Sequence, residues 1–310
     1  MEISQASRRR AILSVAIGCL IALNLVTFIA AYPETSVIDS GCCGNRPLQK
    51  DFSAFYTAAW RLFNDPSHVY TPGNVNNDGT QTVPPPEAYK YLPSFLFMVA
   101  PFLVLGYQQA LTAFDIFQFL LLPLIALLVY ALVQKRGTAV TLVVAAIVLV
   151  LPLPWPNWGL SVPYYWQWAE GQSKVLETFL LLLSFYWGMK RRPKLSGLAF
   201  ALTAFDPRFT LLSIPLFAMY NRYSFKKAAL VALASFAISN AALVYPGVGS
   251  GFLTMLLSSG LSTPLYWYAL IPLSAIVALT VLNAREIART FAELGWPTAE
   301  QADPSQSEKS

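Results

Sequence analysis

The apolar residues of this chain run in unbroken blocks instead of recurring at amphipathic intervals. Ala11–Ala31, Gly137–Trp155 and Ala228–Ala284 contain no Asp, Glu, Lys or Arg. A helix needs roughly 20 apolar residues to cross the hydrocarbon core of a bilayer, so these blocks predict membrane spans or groups of spans. One stretch between them has a different period. In "KDFSAFYTAAW", Lys50–Trp60, and just beyond it, apolar side chains fall at Phe52, Phe55, Tyr56, Ala59 and Phe63. That is i, i+3, i+4, i+7 and i+11, one face of a helix. Asp51 stands directly ahead of the run, where an N-cap belongs.

Composition gives the same class. Of the 310 residues, 55% are hydrophobic, 14% aromatic and 12% charged, about half the charged share of a soluble domain. The reading is an all-α polytopic membrane protein. A soluble enzyme and a nucleic-acid binder are excluded, because the net charge of +5 is accounted for by basic clusters at loop ends. Arg8, Arg9 and Arg10 precede a first apolar run longer than a signal-peptide core of about 7–15 residues, with no small-x-small cleavage site. This predicts a retained signal-anchor. Cys19 falls inside that run and behaves as a small hydrophobe. Cys42 and Cys43 are adjacent, which is no zinc spacing.

Basic clusters in short loops set orientation. They lie at Arg8–Arg10, Lys135-Arg136, Lys190–Lys194, Arg222–Lys227 and Arg285 with Arg289. Placing them all in the cytoplasm predicts crossings at 11–31, Gln109–Val133, Gly137–Trp155, Val175–Met189, Leu195–Ala204, Phe209–Tyr220, Ala228–Tyr245 and Leu265–Asn283. The expectation is therefore about eight crossings with both termini cytoplasmic. Tyr91–Gly106 is short and carries Pro93 and Pro101, so it is expected to lie at the outer interface or re-enter. Residues 1–292 form one transmembrane domain with a long first outer loop, about 32–108. Residues 293–310 form a polar tail of disordered composition.

Several charges then fall on the outer side: Arg46, Lys50, Arg61, Lys90, Lys174 and Arg208 among the bases, Asp51, Asp65, Asp115, Glu170, Glu177 and Asp206 among the acids. Ionisable groups at membrane depth are costly, and by default they suggest a function. Glu170, Lys174 and Glu177 share one helical face at i, i+4 and i+7, so local pairing is the structural alternative. Together the charges suit an outer cavity for a lipid-borne anionic head group. Lys90, Lys174 and Arg208 would hold a phosphate, and an acid near an acceptor hydroxyl would be a general base. The second outer loop, Leu151–Lys174, is rich in Trp and Tyr, which line a lipid groove or form an interfacial belt.

These motifs resemble glycosyltransferase family 87. "DFSAFYTAAWRLFNDPSHVYTP" is similar to its first outer loop, at Asp51, Tyr56, Ala58, Ala59, Tyr70 and Pro72. "YLPSFLFMVAPF" is similar to its "YPPL…P" element, at Tyr91, Pro93 and Pro101, and "EGQSK" to its "GQ-x-N" segment, at Gly171 and Gln172. "GLAFALTAFDPRFTLLSIPL" resembles the small-residue helix that ordinarily ends in "K-x-x-P". The likeness spans about Asp51 to Tyr220. Lys174 stands where the family has Asn, Asp206-Pro207-Arg208 replaces its Lys, and the chain is shorter than typical members.

The resemblance implies a GT-C-type membrane fold and transfer from a polyprenyl-phosphate sugar, often mannose, at the outer face. Asp51 would be the catalytic base. Tyr56, Tyr91, Glu170, Gln172 and Asp206 are expected to line the substrate site. The acceptor would be a glycan, glycolipid or glycoprotein hydroxyl in the cell membrane. No cofactor is expected beyond the lipid-linked donor, and without an Asp-x-Asp pair the sequence requires no metal. The expected reaction is a single inverting displacement. The rival reading is a transporter or a flippase for lipid-linked sugars, since buried charges and proline-broken helices occur there too.

Overall fold

A computed structural model describes residues 15, 18, 22, 50–71, 76–77, 81–82, 89–133, 171–259 and 270–294. The expected crossing at Gly137–Trp155, nearly all of that at 11–31, the second aromatic loop as far as Glu170, Cys42, Cys43 and most of the polar tail lie outside these residues.

Among the described residues the chain is helical, apart from a two-residue antiparallel ladder that pairs Asn76–Asn77 (β1) with Gln81–Thr82 (β2). The helices are α1 (Lys50–Asn64), α2 (Ser94–Val99), α3 (Tyr107–Val133), α4 (Lys174–Met189), α5 (Pro193–Thr203), α6 (Pro207–Tyr220), α7 (Phe225–Ser239), α8 (Pro246–Ser259), α9 (Leu270–Leu282) and α10 (Ala284–Glu293). Only α3, of 27 residues, is both long and apolar enough to cross a membrane among those described. Shorter apolar stretches are Ser94–Val104, Pro246–Leu257 and Pro272–Leu282.

The expected crossing at Gln109–Val133 coincides with α3. Tyr91–Gly106 forms the short α2 followed by a 3-10 turn, Ala100–Val104, as its prolines predict. The expected hairpin is α5 and α6, separated at Ala204–Asp206. Pro207 opens α6, where its missing N–H costs nothing.

Ala228–Tyr245 differs from the single span its composition predicts. The helix stops at Ser239, and Ala241–Val244 is a 3-10 turn before α8. Asn240 causes the break. Its Nδ2 donates back to the Phe236 carbonyl at 3.0 Å, while its Oδ1 accepts the Ser94 backbone N–H at 3.0 Å. One side chain thus closes α7 and satisfies a donor at the start of α2.

Small residues and polar pairs hold the bundle together. A Cβ at Gly197 on α5 would lie 2.3 Å from the Ala228 carbonyl on α7. Ser184 and Ser196 exchange hydroxyl-to-carbonyl bonds of 3.0 and 2.9 Å between α4 and α5. Asn221, at the end of α6, donates to the Ser196 hydroxyl at 2.9 Å. This polar knot lies at the opposite end of α4 from Lys174.

Gly171 fixes the approach of α4 to α1. Its φ is +64°, and a Cβ there would stand 2.5 Å from Phe52 Cβ and 3.2 Å from Leu111 Cδ1. Gly171→Ala combines left-handed backbone cost with overpacking, so it should destabilise by about 2–4 kcal/mol. Thermal unfolding in detergent micelles measures this; an unchanged melting temperature contradicts the packing.

Candidate active site

The site is built where α1, α4 and α6 begin. Asp51 lies in the first turn of α1, half-buried. The helix already includes Lys50, so Asp51 is inside the first turn and not the cap ahead of it. A carboxylate there still faces the positive end of the helix dipole. Phe52, the next residue, is fully buried and packs on Tyr107 and Phe114 at ring distances of 5.8 and 5.1 Å. Phe55, one turn on from Asp51, meets the Tyr91 ring edge-on at 5.5 Å.

Tyr91 joins α1 to the other two helix starts. Its carbonyl accepts the Tyr70 hydroxyl at 3.0 Å, and the next residue, Leu92, donates its N–H to the Phe205 carbonyl at 3.3 Å. These bonds fix the ring against α6. Its face lies 5.2 Å from Lys174 Nζ, within cation–π range. Burial pushes the Tyr91 hydroxyl above the ordinary phenol range. The carboxylates of Asp206, Asp51 and Glu177 add to the rise and Lys174 opposes it. The charges at the starts of all three helices are thus felt at one hydroxyl.

Behind Tyr91 is a network of four ionic side chains. Lys174 Nζ donates to Asp206 Oδ2 at 2.6 Å and to Glu177 Oε2 at 2.9 Å. Arg208 grips Asp206 with both arms of its fork, Nε to Oδ1 at 2.9 Å and Nη2 to Oδ2 at 2.8 Å. Asp206 also caps α6, accepting the Arg208 backbone N–H at 3.3 Å. Phe209 presents its ring to both cations, 5.0 Å from Lys174 Nζ and 5.8 Å from Arg208 Cζ. Burial alone would raise the Asp206 carboxyl. Lys174 and the hydrogen-bonded Arg208 outweigh it and hold the acid well below the usual carboxylate range. Asp206 reciprocates by raising the Arg208 guanidinium further.

The two cations differ in access. The Lys174 side chain is 0% exposed and that of Arg208 is 37% exposed. The Arg208 hydrogen bonds to Asp206 use Nε and Nη2. The network therefore anchors one edge of a cation that is partly exposed among the described residues.

The remaining expected residues sit at different depths. Tyr56 is buried, donates its hydroxyl to the Leu105 carbonyl at 2.9 Å and packs on Phe52 and Tyr107. It braces α1 against the 3-10 turn. Gln172 is buried, and its backbone carbonyl accepts Gln118 Nε2 of α3 at 2.6 Å. Lys90 is exposed beside the buried Tyr89, and Glu170 lies outside the described residues.

Glu177 is the member of the network that spacing alone undervalued. Read along one helix, its pair with Lys174 is a local (i, i+3) contact; in space both side chains are 0% exposed and share Lys174 with Asp206. Asp115, also noted as an intramembrane acid, is buried on α3, and its Oδ1 has no hydrogen-bond partner among the described residues.

The outer-loop charges include a further arginine. Arg61 is buried, and its Nη1 donates to the carbonyls of His68, at 3.0 Å, and Thr71. It folds the chain after α1 back on itself and is a structural clamp. No protein-family model matches the chain, and no curated protein and no solved structure matches it at a significant level.

Proposed function

We propose that this protein is an integral-membrane glycosyltransferase that moves a sugar, mannose being the first to test, from a polyprenyl-phosphate donor to an acceptor hydroxyl at the outer face. The observation that carries the proposal is the shared aromatic wall at Tyr91. The Tyr91 ring meets Phe55, one turn on from Asp51, and lies 5.2 Å from Lys174 Nζ, whose partner Asp206 is gripped by the partly exposed Arg208. The resemblance of Asp51–Tyr220 to glycosyltransferase family 87 supports the same chemistry. The eight-crossing topology, with cytoplasmic termini and an outward-facing site, belongs to this reading.

In the mechanism that follows, Asp51 accepts the proton of the acceptor hydroxyl as its oxygen attacks the anomeric carbon. The bond to the lipid phosphate breaks on the opposite face, and its electrons leave with the phosphate oxygen. Arg208 stabilises the charge that develops there, and the positive starts of α4 and α6 add to the local potential. One base and one good leaving group make a single displacement, with inversion and no covalent enzyme intermediate.

The test uses purified protein in proteoliposomes supplied with radiolabelled polyprenyl-phosphate mannose, then with other polyprenyl-phosphate sugars and a panel of glycan, glycolipid and glycopeptide acceptors. Transfer of label to an acceptor is the expected result. Movement of lipid-linked sugar across the bilayer, with no transfer from any donor, identifies a flippase instead.

A further inference from the structure

We infer that Lys174 is not a phosphate ligand but a positioning residue: a buried counter-cation that holds Asp206 and, through Asp206, sets the orientation of Arg208. The inference deepens the transferase reading and rests on it for its kinetic arm only.

The geometry of Lys174 excludes direct contact with a substrate head group. Its side chain is 0% exposed, two of its three ammonium donors point at Asp206 and Glu177, and the rings of Tyr91 and Phe209 lie against it at 5.2 and 5.0 Å. A phosphate would have to displace both a carboxylate and an aromatic ring to reach it. Asp206 is nearly as buried, at 1% exposed, but links Lys174 to Arg208. It divides its oxygens between the two cations, and Oδ2 accepts from Lys174 and Arg208 at once, at 2.6 and 2.8 Å.

Removing Lys174 therefore leaves Asp206 tied to Arg208 alone and frees the carboxylate to rotate with it. Glu177 completes the arrangement. Its Oε2 accepts a second donor of Lys174 at 2.9 Å, so Lys174 has a carboxyl partner besides Asp206. A buried charge without a partner is strongly destabilising, and the contacts to Asp206 and Glu177 spare Lys174 that cost. The same logic dictates the variant. Lys174→Met alone leaves the buried Glu177 carboxyl without its Lys174 contact, whereas Lys174→Met with Glu177→Gln makes both positions neutral and keeps the Asp206–Arg208 pair.

Two measurements on the full-length protein separate this assignment from its alternatives. The first needs no activity. The arginine side-chain Nε–H signal of Arg208, bonded to Asp206 Oδ1 at 2.9 Å, is followed by NMR in detergent micelles. In the double variant it should shift and exchange faster with water, while the signal of Arg61, clamped on His68 and Thr71, stays in place as proof of fold. An unchanged Arg208 signal overturns the inference even if the protein is a transferase.

The second is a kinetic cycle with polyprenyl-phosphate mannose. The double variant and Arg208→Gln should each raise donor KM roughly tenfold or more, as expected for losing a hydrogen bond to a charged group. The triple variant should show no further rise beyond Arg208→Gln, because Lys174 acts only through Arg208. Additive losses mark Lys174 as an independent ligand and also overturn the inference. A wild type that transfers nothing counts against the transferase reading, and the NMR arm still decides the role of Lys174.

Discussion

Asp206→Ala is expected to destabilise the protein by about 3–5 kcal/mol, the usual cost of breaking a buried ion pair by removing one partner. The reason is specific to its position. Lys174 is fully buried and donates to Asp206 at 2.6 Å, so the truncated protein retains a buried ammonium that has lost a carboxylate partner. Arg208 loses both arms of its bidentate grip. The first turn of α6 loses its cap, worth about 1 kcal/mol by itself. Asp206→Asn keeps the shape and part of the capping, and should fall between wild type and alanine. Chemical unfolding in a fixed detergent measures all three; an alanine variant within about 0.5 kcal/mol of wild type, the range of an ordinary surface substitution, contradicts the network.

Asp51→Asn has the opposite profile. Its first-turn charge contributes about 0.3–2 kcal/mol to α1, so the melting curve should move less than for Asp206→Ala. Its effect on transfer should be large, roughly 100- to 10,000-fold in kcat, the usual contribution of a positioned general base. Donor KM should be nearly unchanged, because the base touches the acceptor and not the lipid phosphate. This contrast separates the two acids of the site: Asp206 is worth more to stability than to any single chemical step, Asp51 the reverse. A folded Asp51→Asn protein with wild-type kcat removes Asp51 as the base.

Much of the fold follows from features local in sequence. The 27-residue α3 announces itself by composition. The turn between α5 and α6 is signalled by an Asp that accepts the backbone N–H two residues on, followed by a Pro at the first helical position. The break at Asn240 is hidden. An asparagine in an apolar run carries no signal that its partner is the Ser94 backbone, 146 residues away in sequence.

The site divides along the same line. The pairing of Lys174 with Glu177 is visible as helical spacing, but the burial of both depends on Asp206, 32 residues from Lys174. The outer-side charges taken together suggest Lys174 for the phosphate, whereas packing buries it and leaves Arg208 the more exposed of the two. The need for Gly171 is likewise invisible until Phe52 is packed against it.

The central claim is that Asp51 and Arg208 act from opposite sides of one anomeric carbon in a single displacement. The anomeric configuration of the first product formed by the wild-type protein tests it most directly. A polyprenyl-phosphate sugar of known configuration is supplied in proteoliposomes, and the new glycosidic bond is assigned by NMR before any rearrangement. The arrangement predicts a product of opposite configuration to the donor. A product that keeps the donor's configuration requires two displacements or a front-side attack, and contradicts it.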